Sequence, residues 1–234
     1  MTAGYKVKIC GTTNREDALL AAREGADCFG VVIEVDFSPR SLTLEEAREL
    51  FCSPPIPAVA LVFNMQEERL RELIRSLNPF AVQFLSQEDP HLIEQLKGAY
   101  PQVQMWQTLH LPQAGGEVDL EEVQRIAETY VIAGADVLLF DTVATLQGKR
   151  KFGGTGLTSD WTVVKKLVHE MGCQVPVLLA GGINPENVAK ALEAVNPDGV
   201  DLCSGVEASA GRKDPVKVKA LMQSVRESGR RKSA

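Results

Sequence analysis

The chain has 234 residues, 44% hydrophobic and 24% charged, with a net charge of −6. That length can bury one barrel-sized core or two small ones, and the acidic balance argues against a general nucleic-acid binder. No apolar run approaches the ~20 residues of a membrane span, the N-terminus lacks the basic-then-apolar layout of a secretory leader, and the five scattered cysteines contain no C-x-x-C pair, which fits a reducing cytoplasm rather than a disulfide framework or zinc site.

Tyr5, Val7 and Ile9 alternate with Lys6 and Lys8, the pattern of a strand that stops at Cys10, where Gly11 follows. Thr13 and Glu16 have capping-box spacing and predict a helix that Gly25 ends. A strand over 27–33 follows, then a second capping box at Thr43 and Glu46. Prolines at 54, 55 and 57 break that helix before the strand 58–63. Helix 67–77, strand 81–85, a short helix near 90–97 and strand 103–109 continue the alternation. Helix 120–132 leads to strand 136–141, and a long glycine-containing loop is expected from there to about Thr158. Helix 161–170, strand 177–180, a helix capped by Asn184 with Pro185 at its first position, and strand 199–203 come next. Asp214-Pro215 starts the closing helix, and 228–234 reads as a basic, frayed tail after a domain spanning 1–227.

Strand and helix alternating eight times predict a single-domain (β/α)8 barrel with parallel strands and right-handed crossovers. An open doubly wound sheet would carry a glycine fingerprint after its first strand, and Gly11-Thr12-Thr13-Asn14 is not one. In a barrel the chemistry sits at the carboxyl ends of the strands. Cys10 ends the first strand and Asp141 the sixth, and such a thiol and carboxyl facing each other could serve as base and acid. Each also has a plainer reading, as a packing thiol and a loop-capping carboxylate. Gly181-Gly182 after the seventh strand and Ser204-Gly205 after the eighth stand where barrels often hold a phosphate on backbone amides. Lys151 to Gly156, with Gly154 at its centre, is a connector, a lid or a second amide contact. Arg40 could grip a carboxylate through two parallel hydrogen bonds, or simply lie on the surface. His110 ends the fifth strand and could reach the pocket.

Taken in order, Lys8-Ile9-Cys10-Gly11, Ser38-Pro39-Arg40, Asp141-Thr142, Gly153-Gly154-Thr155-Gly156, Gly181 to Val188, Ser204 to Glu207 and Gly211 to Asp214 resemble the phosphoribosylanthranilate isomerase family of the tryptophan pathway over nearly the whole chain. The resemblance implies a cofactor-free, metal-free Amadori rearrangement of a phosphorylated aminosugar, with Cys10 as general base and Asp141 as general acid. It implies that Arg40 takes the anthranilate carboxylate, that Gly182, Ser204 and Gly205 hold the sugar phosphate, and that Gly154 also belongs to the substrate-binding set. Asp201 would support the pocket. Expected partners are that small molecule and at most a second copy of the chain, as monomer or homodimer, in the cytoplasm.

The chain departs from the family pattern at Leu85, where a histidine is usual, at Cys203, where serine is usual, at Leu157, where a polar residue is usual, and in the acidic segment Glu34 to Phe37. Those departures keep two other readings in view: a diverged isomerase of another aminosugar phosphate, and a non-catalytic phosphosugar-binding barrel. The histidine-pathway isomerase on the same fold would carry an aspartate where Cys10 stands.

Overall fold

The computed structural model describes residues 4–146, 149–152, 157–171 and 174–232. Among them, eight strands run parallel: β1 (Lys6–Ile9), β2 (Cys28–Ile33), β3 (Ala58–Val62), β4 (Ala81–Phe84), β5 (Gln104–Pro112), β6 (Val137–Leu146), β7 (Val177–Leu179) and β8 (Gly199–Leu202). Each pairs with its sequence neighbour, and β8 pairs with β1, so the sheet closes into the expected barrel. Around it lie α1 (Arg15–Glu24), α2 (Leu44–Phe51), α3 (Glu67–Leu77), α4 (Pro90–Ala99), α5 (Leu120–Ile132), α6 (Trp161–Met171), α7 (Val188–Val195) and α8 (Pro215–Lys232).

Strand periodicity splits the core in two. Val7, Ile9, Phe29, Val31, Val82 and Phe84 face outward onto the helices. In α3 their partners are Leu70, Leu73, Ile74 and Leu77, spaced to form one stripe. Burying each such side chain contributes roughly 1.5–3 kcal/mol. The inward residues are different. Trp106, Val137, Ala81 and Cys28 fill the amino-terminal end, so the floor of the barrel is packed. Above them the interior turns polar, with Lys8, Gln83, Thr108 and Asp201 buried. Gly30 makes room there: a Cβ on it would lie 3.0 Å from Lys8 Nζ.

Four local expectations are corrected. The first helix is capped by Asn14, whose side chain accepts from the Asp17 amide, while the Thr13 hydroxyl donates to the Gly211 carbonyl at 2.6 Å. Thr13 is thus spent on tying the first strand's loop to the chain's last one. The α7 helix begins at Val188; Asn184 caps a preceding turn, its Oδ1 accepting from the amides of Glu186 and Asn187 at 3.0 Å each. Past Asp141 the chain is not an open loop: β6 runs on to Leu146 and pairs antiparallel with Lys149–Phe152. Thr142, Val143 and Thr145 favour extended backbone and explain the extension. Finally, α8 continues through Ser228, where a frayed tail is expected, to Lys232. Val218, Leu221, Met222 and Val225 anchor its buried stripe, and no proline interrupts it. The capping box at Thr43 and Glu46 forms as read, with both reciprocal bonds present.

Candidate active site

The packed floor leaves the carboxyl end open. A cavity of about 750 Å³ occupies the mouth, and Cys10, Arg40, Asp141, Gly182, Asp201, Ser204 and Gly205 all line it. Gly154 lies outside the described residues. The strands bring these residues together from positions far apart in the chain.

Cys10 follows β1 and is hydrogen-bonded through its amide to the Leu202 carbonyl at 2.7 Å. Ile9 and Leu202 are register partners, so Cys10 and Cys203 leave adjacent strands side by side. Cys203 Sγ lies 3.9 Å from Glu207 Oε1 as a donor, and this neighbouring thiol is the largest influence pulling the Cys10 pKa below the ordinary thiol range. Burial works against this, and Lys8 and Lys213 support it. Cys203 moves the opposite way, well above the thiol range, so of the two sulfurs Cys10 is the one poised as thiolate.

Beneath the pair, Lys8 Nζ meets both Asp201 oxygens at 2.9 Å, fully enclosed. Burial alone would neutralise Lys8, but Asp201 outweighs it and Lys8 stays charged. Across the barrel, burial pushes the Asp141 carboxyl above the ordinary carboxylate range. His110 works against this, Asp201 reinforces it, and the Thr142 amide, donating to Asp141 Oδ1 at 2.8 Å, opposes it. One group is held toward its anion and the other toward its acid, the division of labour that acid–base catalysis requires.

The loops after β7 and β8 interlock through glycines. Gly182 has φ +65°, and a Cβ there would come within 2.5 Å of the Leu157 carbonyl oxygen. A Cβ on Gly205 would collide with the carbonyl oxygen of Ile183. Ser204–Val206 forms a single turn of 3₁₀-helix opening at the cavity.

Opposite them the wall is apolar and aromatic. Phe37 and Phe63 meet edge to face with centroids 5.0 Å apart, and Leu85, Val32 and Leu139 complete the wall. The acidic segment does not load this wall with charge: Glu34 turns away to Arg69, at 3.0 Å from Nε. His110 does reach the cavity. Its Nε2 donates to the Leu85 carbonyl at 2.7 Å, and it is the register partner of Asp141.

Sequence reasoning missed two charged residues. Arg40 meets Glu207 through Nε at 2.8 Å and Nη2 at 2.5 Å. Lys213 Nζ donates to Glu207 at 2.9 Å and to the Cys10 carbonyl at 2.5 Å. Burial would raise the Glu207 carboxyl, but Arg40 and Lys213 hold it below the usual carboxylate range. Both residues lie in segments that carry the family resemblance, but nothing local to those segments says that they close onto Arg40.

This fold and this mouth define a class: a (β/α)8 barrel with a thiol and a carboxyl set over one cavity and glycine-lined loops after the last two strands. Comparison with known proteins narrows it. The family model for N-(5'-phosphoribosyl)anthranilate isomerase matches residues 7–224. A protein of that name from Methanocella arvoryzae is 39% identical over 224 residues, covering 94% of this chain and 98% of its own. The solved structure of the Pyrococcus furiosus isomerase superposes with a TM-score of 0.78 at 27% identity, covering 95% of this chain and 99% of that one. A second solved isomerase, in complex with reduced 1-(o-carboxyphenylamino)-1-deoxyribulose 5-phosphate, gives 0.75 at 27% identity, with the same 95% and 99% coverage. The chain belongs to the N-(5'-phosphoribosyl)anthranilate isomerase family.

Proposed function

We propose that this enzyme converts N-(5-phosphoribosyl)anthranilate into the corresponding 1-deoxyribulose 5-phosphate aminoketose, the isomerisation step of tryptophan biosynthesis. One observation carries the assignment of residues: Cys10 and Asp141, from β1 and β6, open into a single cavity whose ends suit the two ends of this substrate. Gly182, Ser204 and Gly205 take the phosphate at one end. Arg40 takes the carboxylate at the other, with the ring against Phe37 and Phe63.

In this reading the Asp141 carboxyl protonates the furanose ring oxygen and the ring opens to a protonated Schiff base. The Cys10 thiolate then takes the proton from C2, leaving an enolamine that tautomerises to the ketone. Lys8 stands below the thiolate and favours its charge. Phosphate binding far from the reacting carbon holds C2 in place for the transfer. The cytoplasm suits the enzyme, because a thiol that must stay free persists there.

Turnover is the test. Purified protein supplied with freshly made phosphoribosylanthranilate should extinguish its anthranilate-type fluorescence, and the gene should rescue a tryptophan auxotroph lacking this isomerase. A folded preparation inactive in both would refute the assignment, as would rescue by the Asp141→Asn variant at the wild-type level.

A further inference from the structure

The mouth holds more charge than the reaction scheme uses. Glu207 is 4% exposed and takes four donors besides the guanidinium Nε: Arg40 Nη2 at 2.5 Å, Lys213 Nζ at 2.9 Å, the Gly211 amide at 3.2 Å and the Cys203 thiol at 3.9 Å. Both Glu207 oxygens lie on one edge of Arg40, the edge formed by Nε and Nη2. Among the described residues Arg40 Nη1 meets no acceptor, and Arg40 lines the cavity. Lys213 is held at its backbone and at the tip of its side chain. Its amide donates to Asp17 at 3.0 Å, and its ammonium donates to the Cys10 carbonyl at 2.5 Å. One buried carboxylate thus joins the guanidinium to the backbone of the residue that carries the thiol.

The charge count points the same way. Arg40 and Lys213 supply two cations and Glu207 one anion. The cluster is left with one positive charge in excess, the complement of a single substrate carboxylate. A guanidinium held by one edge presents its other edge in a fixed plane, and a carboxylate received on that edge is oriented as well as bound.

We propose that Glu207 is the positioning residue of the carboxylate subsite: it fixes Arg40 so that Nη1 faces the cavity, and through Lys213 it sets that subsite's distance from Cys10. The proposal rests on the reading that Arg40 receives the substrate's carboxylate. Glu207 itself touches no reacting atom. It decides that an aryl amine with a carboxylate next to its nitrogen is turned over in preference to one without.

The test compares phosphoribosylanthranilate with the phosphoribosyl derivative of aniline, which lacks the carboxylate. Wild type should prefer the former. Glu207→Gln should lower kcat/KM for the carboxylate substrate by about 10- to 100-fold, the cost of a charged hydrogen bond or of a misplacement near 1 Å. It should leave the aniline substrate within a few-fold, so that selectivity collapses. In an Arg40→Ala background the same change should add little, because its effect passes through Arg40. Should the amide variant fail to fold, Glu207→Asp keeps the charge and withdraws it by one methylene, and it should show the same loss of selectivity. Wild type active on phosphoribosylanthranilate with selectivity unchanged in a folded Glu207 variant overturns this proposal alone. Equal losses on both substrates, or full additivity with Arg40→Ala, overturn it too. Wild type inactive on phosphoribosylanthranilate overturns the parent reading and this one together.

Discussion

The two sides of the barrel mouth are made of different material. On the side of β7 and β8 the surface is backbone, and its glycines pack so closely that side chains have no room. On the side of β2 to β4 the surface is side chain: Arg40 pinned by Glu207, the Phe37–Phe63 pair and Leu85. Backbone offers donors that are the same for almost any sequence, but it tolerates no added Cβ. Side chains can be exchanged one at a time. The first side therefore suits a group that never varies, a phosphate, and the second suits the part of a ligand that distinguishes one substrate from another. The family departures at Leu85 and at Glu34 to Phe37 fall on the exchangeable side or behind it, whereas those at Cys203 and Leu157 lie beside the glycine loops.

Four changes sharpen that contrast. The largest effect belongs to the pair between the two sides. Cys10→Ala and Asp141→Asn should each lower kcat by about 10²- to 10⁴-fold. Inhibition by inorganic phosphate should be unaltered in both, since the proposed reading seats the anion on the other wall; a parallel loss of phosphate affinity would break the separation. Next comes the backbone side. Gly205→Ala should cost about 1–3 kcal/mol of stability through overpacking against the Ile183 carbonyl. It should also raise KM more than it lowers kcat, measured by denaturant melts and by steady-state kinetics. Smallest is the change at Cys203. Its thiol is the main influence lowering the Cys10 pKa, so Cys203→Ala should raise that pKa. A raised thiol pKa means less thiolate at neutral pH. Site-resolved alkylation of Cys10 should then slow severalfold at pH 7 and recover as pH rises. An unchanged alkylation profile would remove Cys203 from the mechanism.

Much of this was legible before any coordinates. Strand and helix alternation carries the barrel because each unit buries its own stripe, and that information is local. The rim position of Cys10 follows from where its strand stops, whereas Asp141 reaches the rim from within a strand that runs on past it to Leu146. The hairpin after Asp141 was not legible, because Thr142 to Leu146 read as loop until their partner Lys149–Phe152 is seen. Asn14 outcompeted Thr13 as helix cap because Thr13 had a partner 198 residues away. Glu207 was hidden for the same reason: a carboxylate 167 residues from its arginine leaves no mark in spacing. Local chemistry sets the elements, whereas closure of the ring decides which charges meet.

Closure also put Lys8 and Asp201 at the level of the barrel where hydrocarbon would otherwise sit. A hydrocarbon pair in that place, Lys8→Met with Asp201→Leu, often equals or exceeds a buried ion pair in stability. Such a barrel would be sturdier and inert, with no cation under its sulfur. Engineering this enzyme for heat should therefore start at the outer helices and leave the second layer of the lumen untouched.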